Sequence, residues 1–112
     1  MNAQQNLRDV ALSDKFEQQD GNIFISGTQA LARLALLQRQ LDKQQGLNTR
    51  GFISGYRGSP LGGLDTTLWQ EKQRMADAGV VFQPGVNEDL AATAVWGTQQ
   101  VDFFPDPQVD GV

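Results

Sequence analysis

The sequence predicts an α/β fold, a partial parallel sheet with flanking helices that is preceded by a small β-hairpin. Two short apolar runs, 52–53 and 80–82, each end in a loop that contains glycine and proline, and a helical pattern follows each loop. Strands that alternate with helices in this way are typical of βαβ units with a parallel sheet. At 112 residues the chain has the length of one domain.

The N-terminal part is predicted to contain a tail and the hairpin. Residues 1–14 are polar and rich in glutamine, without a clear period, and we expect them to form a tail. Asp20 and Gly21 follow, between alternating residues at 15–17 and 22–25. An Asp-Gly pair in this setting is a strong signal for a hairpin turn. We therefore expect a short strand on each side of this turn.

An amphipathic helix is predicted between Ser26 and Gly46. Ser26 is a favourable N-cap residue, and Gly46 is a favourable residue for ending a helix. Between them leucines recur at helical spacing, at positions 31, 34, 37 and 41. A leucine stripe of this kind usually forms the buried face of a helix, so we expect these leucines to lie in the core.

The elements after the first strand follow from the same kinds of signal. A helix is predicted from Leu64 to Ala78, then a strand at 80–82, then an alanine-rich helix that begins at Asn87 as N-cap. Small residues on most faces of this last helix indicate burial within a larger structure. Residues 102–112 contain a proline-marked loop and the opening of another strand. Because a small sheet with an open edge is a poor independent fold, we expect a fragment of a longer protein.

The composition excludes several classes of function. The net charge is −4, and the chain has no cysteine and no histidine. Disulfides, a thiolate nucleophile, cysteine-ligated metal sites and the usual general base are therefore missing. Scattered lysines and arginines give no footprint for nucleic acid, and no apolar run approaches the ~20 residues of a membrane span. Without a visible secretory signal, we expect a cytoplasmic protein.

The loops that end the two strands are the candidate binding elements. The first, 54–63, has four glycines together with Arg57, Ser59 and Pro60, and the second, 83–88, ends at Glu88. Glycine lets backbone approach a ligand closely, and proline fixes φ. At the carboxyl ends of parallel strands, such loops and the helices after them are suited to a polar or anionic ligand. Two tight connections that bind nothing remain the alternative.

Two long motifs carry a resemblance to a known family. Residues 51–65 (GFISGYRGSPLGGLD) and 81–100 (VFQPGVNEDLAATAVWGTQQ) closely resemble the N-terminal region of the long, fused bacterial indolepyruvate ferredoxin oxidoreductases. These thiamine diphosphate enzymes oxidatively decarboxylate indolepyruvate, an aryl 2-oxo acid, to the acyl-coenzyme A. Their electrons pass through iron–sulfur clusters of the 4Fe-4S type to ferredoxin. The resemblance implies that residues 15–112 are the incomplete N-terminal part of a pyrimidine-binding domain.

The resemblance also implies roles for the second loop. Glu88 matches the glutamate that hydrogen-bonds atom N1′ of the cofactor's aminopyrimidine, and Gly85 and Asn87 are expected to contact the cofactor beside it. In these enzymes the protein supplies position and polarity while the cofactor carries the chemistry. A carboxylic acid holds a proton near neutral pH only when it is buried, so we expect apolar walls around Glu88.

For the first loop, the resemblance implies contact with the substrate. Ser59 matches a hydroxyl residue that lies against the substrate carboxylate in related 2-oxoacid oxidoreductases, and Tyr56 and Gly58 belong to the same loop. Arg57 replaces a proline of the family pattern, so its role does not carry over. Its guanidinium is expected either to pair with the carboxylate of the 2-oxo acid or to be solvated.

The resemblance implies equally what this chain lacks. The diphosphate and its Mg²⁺ are held by a separate domain in the family, and the clusters also lie elsewhere, so no metal ligand is predicted here. We expect the rest of the enzyme, or a second subunit of an oligomer, to complete the cofactor cleft, and the isolated chain to be inactive. Two alternatives stay open: a non-catalytic α/β module that binds a phosphate or nucleotide, and an inactive product that self-associates through its sheet edge.

Overall fold

The computed structural model describes residues 9–112, so the first eight residues of the predicted tail lie outside the described part. Within that part the chain is a small α/β fold built from helices and one two-stranded parallel sheet. In chain order the elements are α1 (Asp14–Glu17), α2 (Gly27–Gln44), β1 (Gly51–Ile53), α3 (Gly62–Gln70), α4 (Lys72–Asp77), β2 (Val80–Phe82), α5 (Glu88–Thr98) and a 3-10 turn (Val101–Phe103).

The predicted hairpin is wrong. Residues 14–17 form the short helix α1, and residues 22–25 form no strand. The turn signal was real, because Gly21 has a φ of +84°, but the flanking segments are held by other contacts. Phe16 is buried in the core, and the Arg33 guanidinium on α2 donates to the backbone oxygens of Lys15 and Gln18 at 2.8 and 2.6 Å. A side chain therefore satisfies carbonyls that a partner strand would otherwise bind.

Helix α2 confirms the predicted start and end. Ser26 forms a capping box with Gln29, in which each side chain bonds the backbone N–H of the other residue. Gly46 follows the helix with a φ of +79°, a conformation that glycine adopts without steric cost. The two boundary signals in the sequence are therefore the groups that begin and end the helix.

The leucine stripe of α2 is not the buried face, which corrects the sequence prediction. Leu31, Leu34 and Leu41 are about half exposed, whereas Ala32 and Arg39 are buried. The small side chain of Ala32 lets α2 pack closely against the core, with Ala35 and Leu36 beside it. Three of the four predicted leucines thus lie beside the buried face and are open to solvent, whereas Leu37 is partly buried.

The buried Arg39 links helix α2 to the segments that precede the two strands. Its Nε donates to the backbone oxygen of Ala78 at 3.0 Å, and its Nη1 donates to the Thr49 hydroxyl. Ala78 follows α4 and Thr49 precedes β1, so one side chain on α2 links the entry to each strand. A buried guanidinium is tolerated here because its donors have partners, including Asp42 at 4.0 Å.

The helix predicted between the strands is present but divided. Its first part, α3, begins at Gly62, earlier than predicted, and α4 starts again after Glu71. Backbone hydrogen bonds from Glu71 to Thr67 and from Met75 to Glu71 continue across the division. Leu68 of α3 and Met75 of α4 are both buried, so the two helices cover the sheet as one layer.

The strands β1 and β2 confirm the predicted parallel pair. Gly51 pairs with Val80, Phe52 with Val81 and Ile53 with Phe82. Val80 and Phe82 face the helix layer with Ile53, whereas Val81 on the opposite face is 53% exposed. A Cβ at Gly51 would lie 2.9 Å from the side chain of Val80, so this rung of the sheet needs glycine.

The C-terminal part of the described chain is mostly exposed. Within α5 (Glu88–Thr98) only Ala91 is buried, and Trp96 is 66% exposed. The predicted opening of a strand is present as a single parallel bridge between Gly111 and Thr49, beside β1. No helix in the range 9–112 is both long enough and apolar enough to cross a membrane.

Candidate functional site

The two glycine-containing loops meet at the carboxyl ends of β1 and β2. The ladder continues past the strands, because the Gln83 N–H donates to the Ile53 oxygen at 2.9 Å and the Gly85 N–H donates to the Gly55 oxygen at 2.8 Å. These two hydrogen bonds place the second loop directly beside the first. The two candidate binding loops are therefore neighbours at the carboxyl ends of the two parallel strands.

Gly85 allows the second loop to lie against α5. A Cβ built at Gly85 would be 2.7 Å from the Cβ of Ala91 and 3.0 Å from the backbone oxygen of Asn87. Carbon atoms do not approach that closely, so no larger residue fits without a shift of the loop. The predicted cofactor residue Gly85 thus has a packing role that needs no ligand.

Asn87 begins α5 as predicted. Its backbone is extended, with a φ of −151°, and its Oδ1 accepts the Leu90 N–H at 2.8 Å. This side-chain oxygen satisfies one of the helix N-terminal amides. The next residue, Glu88, stands in the first turn of α5. Asn87 therefore positions Glu88 through the start of the helix.

An open cleft of about 510 Å³ lies between the first loop and α5. Glu88 stands at the start of the α5 wall, which continues along one helical face with Ala91, Ala92, Val95 and Trp96. The opposite wall consists of Ser54, Gly55, Tyr56 and Ser59. The structure therefore brings together Glu88, Tyr56 and Ser59, three of the predicted site residues, on one cleft.

The surroundings of Glu88 are apolar but not closed. Ala91 is buried, whereas Ala92, Val95 and Trp96 leave the α5 wall open to solvent, and Glu88 itself is exposed. The apolar burial that we expect for Glu88 is therefore not supplied by this chain alone. A covering surface would have to lie over the α5 face of the cleft.

The first loop is held in a compact shape by its own backbone. The Ser59 N–H donates to the Tyr56 oxygen at 3.1 Å, and the Gly62 N–H donates to the Ser59 oxygen at 3.0 Å. A Cβ at Gly58 would lie 2.5 Å from the ring of Tyr56, so the absence of a side chain there lets the ring fold over the turn. Gly58 shapes the loop, and Tyr56 and Ser59 line the cleft.

Arg57 is engaged within the chain. Its Nε donates to Oδ2 of Asp65 at 2.8 Å, and Asp65 is buried while the arginine side chain is 72% exposed. Asp65 lies in the first turn of α3, so this ion pair fastens the first loop to the helix that follows it. Neither residue lines the cleft that holds Glu88.

Asp65 and Trp96 were not singled out from the sequence. An acidic residue in the first turn of a helix that follows an arginine-bearing loop is a usable signal for Asp65. Trp96 stands eight residues after Glu88, close to the same helical face, and a large aromatic residue in an alanine-rich helix is a signal for a binding wall. Both signals can be recognised only when the first residues of α3 and α5 are known.

A smaller cavity of about 170 Å³ lies beneath the first loop. Tyr56, Ser59 and Asp65 line it together with apolar residues of the core, among them Leu68 and Phe82. Tyr56 and Ser59 thus separate this cavity from the open cleft, because they line both. No cluster of three or more side chains suited to metal binding is found in the described range 9–112.

Comparisons of the chain with models of protein families, with curated proteins and with solved structures find no match.

Proposed function

We propose that this chain forms the pyrimidine-side wall of a thiamine diphosphate site in a 2-oxoacid:ferredoxin oxidoreductase that acts on indolepyruvate or a related aryl pyruvate. The observation that carries the proposal is the placement of Glu88 on one cleft with Tyr56 and Ser59. The resemblance of the two loop motifs to the indolepyruvate enzymes agrees with this placement. The partners of the whole enzyme would be coenzyme A and ferredoxin.

The residues of the cleft fit an aminopyrimidine ring. A flat heteroaromatic ring needs an apolar wall and a polar group at its edge. Ala92 and Val95 offer such a wall on α5, and the Glu88 carboxylate stands at its N-terminal end. In the family that the two motifs resemble, a separate domain holds the diphosphate and its Mg²⁺, and the proposal assigns both groups to such a domain.

In this proposal Glu88 has the catalytic role. Thiamine diphosphate, when bound, supplies the nucleophilic carbon that attacks the 2-oxo group. Glu88 holds a proton at the ring nitrogen N1′, which requires that the carboxyl group be shielded from water. Because Glu88 is exposed in this chain, a second domain or subunit has to cover the α5 face.

The first loop then orients the substrate. The Ser59 hydroxyl lies across the cleft from α5 and is suited to donate a hydrogen bond to the substrate carboxylate. Arg57 stabilises the shape of the first loop, because its Nε donates a hydrogen bond to the Asp65 carboxylate. Its exposed guanidinium nitrogens remain a secondary candidate for pairing with the 2-oxo acid.

The geometry supports this function over a phosphate-binding loop. The N-terminal amides of α3 are partly used, since Gly62 donates to Ser59 and Leu64 donates to Leu61. Asp65 adds a carboxylate to the first turn of α3, which disfavours an anion there. Saturable binding of a nucleotide by this chain, unaffected by thiamine diphosphate, would support the alternative module.

The test uses the chain combined with the remaining portion of the oxidoreductase. Thiamine-dependent decarboxylation of indolepyruvate is measured for the wild type, Glu88→Gln and Asp89→Asn. We expect Glu88→Gln to lower turnover by about 100-fold or more, because proton transfer by a positioned group contributes about that much. Asp89 is the matched control, an exposed carboxylate in the same first turn, and its change should leave turnover intact. Equal turnover in all three proteins would remove Glu88 from the mechanism.

A further inference from the structure

A cavity of about 370 Å³ lies at the end of the sheet opposite to the cleft that holds Glu88. Its walls include Arg50, which directly precedes β1, and Gly79, which directly precedes β2. The cleft lies at the carboxyl ends of the same two strands and shares no lining residue with this cavity. The cavity is therefore a second and separate candidate site.

Three cationic side chains line this cavity. Arg39 and Lys43 stand one helical turn apart on α2, and Arg50 joins them from the segment before β1. Asp77 is the one carboxylate among the described lining residues, and its Oδ1 already accepts a hydrogen bond from Gln73 at 2.8 Å. Three cations against one carboxylate give the lining a net charge of +2, in a chain whose net charge is −4.

Gly79 lets two guanidinium groups approach the same point. A Cβ at Gly79 would lie 3.1 Å from Cδ and 3.5 Å from Nε of Arg50, and 3.7 Å from Nε of Arg39. The φ of +77° at Gly79 is a conformation that glycine adopts without steric cost. The two arginines are therefore held close together although their charges repel each other, and an anion between them would relieve that repulsion.

Arg39 has one donor that the chain does not use. The residue is only 4% exposed, and its Nε and Nη1 donate to Ala78 and Thr49. Asp42, 4.0 Å from Nη1, lies outside the cavity lining. Nη2 has no partner among residues 9–112. Since no buried side-chain nitrogen in that range lacks a partner, Nη2 must be in contact with solvent, and Arg39 lines this cavity.

Lys43 and Arg50 are not needed to cap the end of α4. Three carbonyl oxygens there already have partners, because the Ala78 and Gly79 N–H groups donate back to two of them and Arg39 donates to the third. Within residues 9–112 no carboxylate forms an ion pair with Lys43 or Arg50. Their charges are therefore available to a ligand.

We propose that this cavity binds a phosphate dianion, whose oxygens accept hydrogen bonds from Nη2 of Arg39 and from the side chains of Lys43 and Arg50. A phosphate group carries a charge of about −1.5 to −2 at pH 7, which matches the net charge of the lining. Guanidinium groups donate to phosphate through paired N–H groups, and lysine adds a compact charge. The volume lies within the range of small-molecule sites, so a small phosphate ester fits as well as the free ion. The proposal does not depend on the proposed function.

The test is an NMR titration of the 112-residue chain in a buffer without phosphate. The probes are sodium phosphate and glycerol 3-phosphate, each compared with sodium chloride at the same ionic strength. We expect saturable shifts of the Gly79 amide and of the Arg39 Nε–H signal, with a dissociation constant of about 1 mM or lower, because hydrogen bonds between charged groups are strong. Tighter binding of glycerol 3-phosphate would identify a phosphate ester as the ligand, and tighter binding of sodium phosphate would identify the free ion.

Two matched lysine variants make the result specific. Lys43→Gln removes one charge from the cavity, and Lys72→Gln removes one charge from the start of α4, outside the cavity. We expect Lys43→Gln to weaken binding by about 10-fold, as for the loss of one hydrogen bond to a charged group, and Lys72→Gln to change it by less than about 2-fold.

Arg50 provides an independent pair of variants. Arg50→Gln should weaken binding by about 10-fold or more, whereas Arg50→Lys keeps the charge and should weaken it less. Both changes remove a hydrogen bond from Arg50 to the backbone oxygen of Thr49, so circular dichroism is used to check that each variant is folded. Lys43→Gln removes no hydrogen bond found within residues 9–112, so it keeps the test independent of folding.

Three outcomes would overturn the proposal. They are signals of Gly79 and Arg39 that do not change with either phosphate compound, shifts that sodium chloride reproduces at the same ionic strength, and equal weakening by Lys43→Gln and Lys72→Gln. The last would indicate a general attraction of anions to positive charge and not a site built from these three side chains.

Discussion

Gly85 offers a sharp test of how the second loop is positioned. A Cβ at this residue would lie 2.7 Å from the Cβ of Ala91, whereas ordinary contact begins at 3.4 Å. In Gly85→Ala the loop and α5 must separate by about 0.7 Å, and overpacking of this kind costs about 1–3 kcal/mol. Gly85 has no positive φ, so the cost is steric and not conformational.

The matched control is Gly97→Ala in the same helix. A Cβ at Gly97 meets no atom within 4 Å, and the residue lies inside α5. Because alanine favours helix over glycine, this change should stabilise the chain by about 0.5–1 kcal/mol. Urea unfolding followed by circular dichroism should therefore move in opposite directions for the two glycine-to-alanine variants.

A double substitution identifies the cause. Ala91→Gly removes the atom that the new methyl group meets, so Gly85→Ala combined with Ala91→Gly should show a favourable coupling of about 0.5 kcal/mol or more. Two close atoms remain, the Asn87 oxygen at 3.0 Å and the Cα of residue 91 at 3.2 Å, and they keep the rescue partial. An unchanged unfolding midpoint for Gly85→Ala, or strict additivity in the double variant, would refute the reasoning.

Two further predictions concern α2. Arg39→Met should lower the free energy of unfolding by about 1–3 kcal/mol, because the backbone oxygen of Ala78 and the Thr49 hydroxyl lose a buried donor; urea unfolding measures this, and an unchanged midpoint would contradict it. Hydrogen bonds from Thr49 and then Gln38 hold the pKa of Asp42 below its usual value, so its stabilising effect is present above the unfolded pKa of about 3.9 and is lost as pH falls through the lower folded value. Asp42→Asn should therefore unfold with a smaller loss of stability between neutral and acid pH than the wild type, and an equal loss would contradict the assignment.

Local signals predicted the parts of the fold that local chemistry determines. The cap at Ser26, the cap at Asn87 and the glycine at 46 are each recognised by groups within a few residues, so they form as predicted. The parallel pairing of β1 with β2 follows from the helix between them. These features required no knowledge of distant contacts.

Distant contacts decided the parts that the sequence did not predict. The segment around Phe16 fails to form a hairpin because Arg33, on the following helix, binds its carbonyls. On α2 the buried positions are instead Ala32, which lies in the core cluster with Leu68, and Arg39, which bonds the backbone oxygen of Ala78. A contact between residues that are more than ten positions apart leaves no periodic pattern in the sequence from which it could be predicted.

The candidate site also combines features that local signals predict with features that depend on distant contacts. The sequence predicts that each strand ends in a candidate binding loop, and the hydrogen bond from the Gly85 N–H to the Gly55 oxygen makes the two loops neighbours. It does not predict that Asp65 engages Arg57, because that contact depends on where α3 begins. The apolar burial expected for Glu88 is not present in residues 9–112, because Ala92, Val95 and Trp96 along the same wall of the cleft are exposed.

The hydrogen bond from the Gly85 N–H to the Gly55 oxygen couples the two loops that lie beside the cleft. A ligand that displaces the turn at Ser59 should also shift this hydrogen bond. Glu88 follows Gly85 by three residues, at the start of α5. We therefore expect a displacement of one loop to be passed to the other through this hydrogen bond. Binding of a ligand near Ser59 should therefore change the orientation of the Glu88 side chain slightly, even when that ligand does not contact Glu88.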